Sequence, residues 1–105
     1  MNYEVIFVVL PRGTADNVMS LAKKSGAKGG TVLLARGTGA EEAKTFFGLT
    51  VEEAKEILFV LTEKQETDRI LDAIIEAANL KRPGSGIAFV LDARKTVGLI
   101  SQSQL

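Results

Sequence analysis

Glu4-Val5-Ile6-Phe7-Val8-Val9 returns in the second half of the chain as Glu56-Ile57-Leu58-Phe59-Val60-Leu61. Asp16 and Val18 fall in step with Asp68 and Ile70 at the same offset. Each copy reads as an apolar strand, an amphipathic helical stretch, a glycine-containing turn and a second apolar strand. The second strands are Thr31-Val32-Leu33-Leu34 and Ile87-Ala88-Phe89-Val90-Leu91. The chain is therefore a duplicated β-α-β unit.

Two such units in 105 residues predict a single α+β domain over residues 1–105. Its expected fold is a ferredoxin-like sandwich, a double β-α-β with an antiparallel sheet and a short extra C-terminal strand. The nearly unbroken apolar run Tyr3 to Leu10 predicts a central strand, covered on both faces or set against a partner subunit. Thr14-Ala15-Asp16 opens the first helix, whose stripe is Val18, Met19, Leu21 and Ala22, and Gly26 suits the left-handed turn that ends it. Met19 at that spacing reads as core. The second strand–helix pair is expected at Glu56 to Thr62 and Lys64 to Ala78, with Ile70, Leu71, Ile74, Ile75 and Ala78 inward. The extra strand is expected around Thr96 to Ile100, and the polar tail Ser101 to Gln104 is expected to be loose.

Composition removes several kinds of chemistry. There is no cysteine and no histidine, which excludes disulfides, thiolate catalysis and a Ser-His-Asp triad within the chain. A transition-metal site would have to use carboxylates alone, which suit harder ions, so no metal site is expected. The 13 Lys/Arg balance the 13 Asp/Glu, and the cations are dispersed with few aromatics between them. Nucleic acid is accordingly not an expected partner. The N-terminus lacks the pattern of a signal peptide, which makes a cytoplasmic location the expectation.

Residues 36–55 belong to neither copy and read as a long loop without a strand of its own. Loops of that length in a compact domain are usually functional or disordered, and Phe46 and Phe47 argue against plain disorder. Thr50-Val51-Glu52-Glu53 has capping-box spacing, which predicts a short helical turn. Three glycine turns flank the strands: Gly29-Gly30-Thr31, Gly37-Thr38-Gly39 after Arg36, and Gly84-Ser85-Gly86 after Lys81 and Arg82. Positive-φ glycines let successive amides converge on an anion, while hydroxyls and cations add donors and charge. Each turn alone is more simply a turn, and none has the spacing of a P-loop or a Rossmann fingerprint. Their joint placement predicts one shared cleft beside the start of the long loop.

In order and spacing the chain resembles the PII signalling superfamily of nitrogen regulation. Gly29-Gly30-Thr31-Val32 resembles that family's Gly-Met-Thr-Val segment. Arg36-Gly37-Thr38-Gly39 resembles the start of its T-loop, and Gly84-Ser85-Gly86 its Gly-Asp-Gly phosphate turn. The resemblance implies a non-enzymatic cytoplasmic homotrimer that binds an adenine nucleotide between subunits. It also implies that the loop controls a partner protein such as a membrane transporter. Ligand-binding positions carried over are Gly29, Gly30, Thr31, Arg36, Gly37, Thr38, Gly39, Lys81, Arg82, Gly84, Ser85 and Gly86.

The departures carry information too. Ile87 stands where the family places a lysine, and Gly98 and Ile100 stand where it places two arginines. Enclosing a triphosphate without paired cations is costly, so AMP or ADP is expected over ATP. The family's glutamine has no counterpart at Ala40 to Glu42, and 2-oxoglutarate sensing is not carried over. The loop has no tyrosine to modify. Phe46, Phe47 and Leu49 offer an apolar contact for a partner protein, or else pack back onto the domain or a neighbouring subunit. The alternatives are a structural trimer of the same fold that binds no nucleotide, and a slow nucleotide hydrolase.

Overall fold

The computed structural model describes residues 2–37, 45–46, 49–50 and 53–99, with the backbone alone at 45–46 and 49–50. Strand β1 (Tyr3–Pro11) leads into helix α1 (Ala15–Lys24) and strand β2 (Thr31–Gly37). Two short strands, β3 (Thr45–Phe46) and β4 (Leu49–Thr50), precede β5 (Glu53–Glu63). A 3-10 turn (Lys64–Glu66), helix α2 (Thr67–Ala77) and β6 (Ile87–Ala93) complete the described elements. The main sheet runs β2-β5-β1-β6 with every neighbouring pair antiparallel. This is the ferredoxin-like α+β sandwich that the duplicated unit predicts.

The duplication is visible in the core. Ile6, Val8 and Leu10 of β1 are buried, and so are Leu58, Val60 and Thr62 of β5 at the offset that separates Glu4 from Glu56. Ala15, Val18 and Ala22 of α1 are matched in the same way by Thr67, Ile70 and Ile74 of α2. Alternation along the strands and 3.6-residue periodicity along the helices put all of these between the sheet and the helix layer. Met19 belongs to that core, as its spacing predicts. The one polar contact inside it is satisfied: the Thr62 and Thr67 hydroxyls lie 2.6 Å apart.

Both helices end in a Schellman motif. Gly26 (φ 115°) follows the cap of α1, where its N–H bonds Lys23 O and the Ala27 N–H reaches back to Ala22 O. In α2 the left-handed residue is Asn79 (φ 53°), with Asn79 N–H on Glu76 O and Leu80 N–H on Ile75 O. Asparagine tolerates this conformation better than other non-glycine residues, so the second helix stops without a glycine.

Several expectations need correction. Arg36 and Gly37 continue β2, pairing with Ala54 and Glu53, so β5 starts at Glu53 and the connection between them is shorter than residues 36–55. That connection is not strandless, because Thr45 pairs with Thr50 and Phe46 with Leu49. Thr50 and Glu53 both lie in strands, so the capping-box pattern does not start a helix from one to the other. The α-helix of the second unit starts at Thr67, after the 3-10 turn, and not at Lys64. No strand forms over Thr96 to Leu99, and Ile100 lies outside the described residues. Among the described residues nothing pairs with the outer edge of β2 or of β6, and a strand exists only as part of a ladder. β1 is covered on one face only: Val5, Phe7 and Val9 are half-buried on the side away from the helices.

Candidate functional site

Three structural neighbourhoods hold the residues singled out by sequence. The first is the base of the 38–52 connection, formed by the end of β2, the start of β5 and the turn after β1. Its central group is Glu56. The Glu56 Oε1 accepts hydrogen bonds from the backbone N–H of Gly13 (2.7 Å) and of Ala15 (3.0 Å). Thr14, in the N-cap position of α1, does not cap it with its side chain; its hydroxyl donates to Pro11 O at 2.7 Å instead. The strand leaving the connection thus supplies the carboxylate that a helix N-terminus attracts. The Ala15 amide, foremost, with the Gly13 and Thr14 amides and the Arg12 guanidinium, holds the Glu56 carboxyl below its ordinary range, against an opposing contribution from burial. Lys55 is paired with Glu53 at 2.9 Å on the same strand end. Sequence reasoning missed Glu56 as anything but part of the repeat. Its even position, shared with the inward residues Leu58 and Val60, was the available signal.

The second neighbourhood is the turn from α2 to β6. Arg82 N–H bonds Asn79 O and Ser85 N–H bonds Arg82 O, which winds Lys81 to Ser85 into consecutive turns. Gly84 takes φ 83°. At Gly86 a Cβ would come within 2.5 Å of the Val9 carbonyl oxygen and 3.1 Å of Leu80, so close packing as well as conformation calls for glycine. Ser85 lines a groove of about 320 Å3 with Gly13, Thr14, Asn17 and Asn79. Lys81 and Gly86 lie on a separate apolar groove of about 340 Å3 against Leu71, Ile75 and Ile87.

The third is the approach to β2. A Cβ on Gly30 would come within 2.6 Å of Met19 Sδ and 2.8 Å of the Phe59 carbonyl oxygen, while Gly29 faces open space. Gly30 is therefore held by packing, and Gly29 is free to serve a ligand. Thr31 starts β2 opposite Phe59.

Within one chain these neighbourhoods do not form a single cleft. Thr31 and Arg36–Gly37 lie on one edge strand of the sheet, whereas Gly84–Gly86 leads into the other, with β5 and β1 between them. The shared cleft expected from the repeat is absent from the isolated chain, because the pseudo-symmetric turns precede strands on opposite edges. Thr38, Gly39 and Phe47 lie outside the described residues, and Phe46 and Leu49 are backbone partners in the β3–β4 pair. Ile87, where a lysine was looked for, sits on the open face of the sheet opposite Val9.

That open face carries exposed or half-buried apolar side chains from all four strands. Three rows of side chains cross it: Leu33–Ile57–Val9–Ile87, Thr31–Phe59–Phe7–Phe89, and Leu61–Val5–Leu91. Phe7 meets Phe59 edge-on at 4.6 Å between ring centroids and stacks on Phe89 at 4.8 Å. Ile87 is 57% exposed, Leu91 51% and Leu33 46%, an extent of bare apolar surface unusual for a soluble monomer.

A duplicated β-α-β domain with helices on one face and an apolar sheet face on the other defines the ferredoxin-like class of small α+β proteins. The chain belongs to the nitrogen regulatory protein P-II family, whose family model matches residues 3–102. Among solved structures it is similar to the Arabidopsis thaliana PII bound to citrate, with a TM-score of 0.68 and 26% identity. That likeness covers 86% of this chain and 76% of the other. No curated protein matches the chain in sequence. The family is one of signalling regulators and not of enzymes. No helix among the described residues is long and apolar enough to cross a membrane.

Proposed function

We propose that this protein is a P-II-type regulator that assembles as a homotrimer through its open sheet face and binds a small anionic ligand between subunits. The observation that carries the reading is the separation of the glycine turns to opposite sheet edges, beside an apolar face that demands cover. A second copy can bring the Gly29–Thr31 edge of one chain to the Gly84–Gly86 turn of another, which a single chain cannot do. The ligand is an adenine nucleotide, AMP or ADP in preference to ATP. Ile87 is apolar and turned to the open face, and Gly98 and Ile100 likewise lack a charge, so three of the expected phosphate cations are missing. The citrate in the Arabidopsis structure is likewise a small polyanion, which supports anion binding by this architecture.

Ligand binding alters the connection between β2 and β5, and that connection, with Phe46, Phe47 and Leu49, engages or releases a partner protein in the cytoplasm. A membrane transporter is one such partner. The requirement is that ligand binds the two arrangements of the connection with different affinity. Isothermal titration of the nucleotide-stripped protein with AMP, ADP and ATP, with and without magnesium, tests the reading. Micromolar binding, weakest for ATP, is expected. Heats absent from all three nucleotides would sink the nucleotide assignment and leave the structural trimer.

A further inference from the structure

At the far end of the sheet from the connection lies a polar pocket of about 500 Å3, whose walls include Asn2, Lys64, Asp92, Arg94, Lys95 and Thr96. Three strand ends converge there: the start of β1, the end of β5 and the end of β6. Lys64 is fixed by its N–H on Asn2 O (2.9 Å). Three cations face one carboxylate, although the protein as a whole carries no net charge. None of Lys64, Arg94 and Lys95 has an ion-pair partner among the described residues. The backbone offers donors as well. Beyond β6 the amides of Arg94, Lys95, Thr96 and Val97 make no hydrogen bond to another backbone group among the described residues. Successive backbone N–H groups beside guanidinium and ammonium groups are the combination that holds an oxyanion.

We infer that this pocket is a second anion site, which takes a compact oxyanion carrying two or more negative charges. It lies at the opposite end of β6 from the Lys81–Gly86 turn, and the inference rests on the pocket's own lining and not on the nucleotide reading. Arg94 can bind two oxygens of one phosphate or carboxylate group in parallel, and the two ammonium groups add charge. Asp92 limits the site to ligands whose charge exceeds the repulsion of one carboxylate.

Titration with inorganic pyrophosphate and, separately, with citrate tests the inference and distinguishes a phosphate from a carboxylate ligand. Three proteins are compared: the wild type, an Arg94→Ala/Lys95→Ala double variant and a Lys23→Ala/Lys24→Ala control, whose two lysines line no part of the pocket. All four positions are exposed, so the variants are expected to keep the wild-type fold, which circular dichroism checks. Binding of either anion that weakens about tenfold in the first variant and stays unchanged in the control is the expected result. It should also weaken as ionic strength rises. Failure of both anions to bind, or binding that the first variant leaves intact, would overturn the inference. Nucleotide affinity in the Arg94→Ala/Lys95→Ala protein reads out the other site independently.

Discussion

At the scale of single residues, the glycines divide by what surrounds them. A methyl group at Gly30 meets a sulfur and a carbonyl oxygen below 3 Å, and one at Gly86 meets the Val9 carbonyl oxygen at 2.5 Å with φ at 146°. A methyl group at Gly29 meets nothing. Gly30→Ala and Gly86→Ala should each lower stability by about 1–3 kcal/mol in urea unfolding, and Gly29→Ala should be near neutral. Equal effects at all three would contradict the packing. Glu56 makes a different prediction. Its carboxyl is depressed in the folded state, so its stabilisation is complete above the ordinary glutamate pKa and fades as pH falls through the folded value. Glu56→Gln should therefore lose melting temperature at neutral pH and narrow its gap to the wild type as pH drops to about 4. A gap that stays constant with pH would show that the carboxylate charge is not what matters. Sequence alone could not sort the glycines, because glycine before a strand looks the same whether it spares a clash or frees an amide. Glu56 was hidden for a similar reason, as its partners Gly13 and Ala15 are distant in the chain.

At the scale of elements, the repeat in the sequence was enough to place β1, α1, β2, β5, α2 and β6, because amphipathic period and duplication agree at each of them. Two of the departures concern strand pairing, which local signals do not encode. Thr50-Val51-Glu52-Glu53 carries a helix-start pattern, yet Glu53 is taken by the ladder with Gly37. Thr96 to Leu99 has the composition of a strand, but a strand exists only when paired, and among the described residues it pairs with neither edge strand, β2 or β6. The Asn79 stop is weakly marked in sequence, because asparagine only tolerates the left-handed position that glycine favours. Candidate ligand residues were legible as motifs; their distribution over two sheet edges was not, since edge position depends on strand order.

At the scale of the whole molecule, the arrangement is two-layered on one side only. The helices cover Ile6, Val8, Leu58 and Val60, while among the described residues no element packs over the row of Phe7, Phe59 and Phe89. Replacing Phe89, which is 40% exposed, with aspartate puts a charge in the middle of that face without touching the helix side. Phe89→Asp should shift the light-scattering mass from trimer to monomer and leave the far-ultraviolet spectrum intact. A wild type that already runs as a monomer would dispose of assembly through this face.

Strand order also sets a timetable for the newborn chain. β1 leaves the ribosome first, yet both strands that flank it, β5 and β6, come from the second half of the sequence. Tyr3 must wait for Ala93 before its last neighbour exists. Until then the most apolar stretch of the protein has two unpaired edges, the state in which chains stick to one another or are held by chaperones. Such distant pairing also predicts refolding over milliseconds to seconds and not microseconds. The strand on which the finished sheet is centred is therefore the one longest at risk during synthesis.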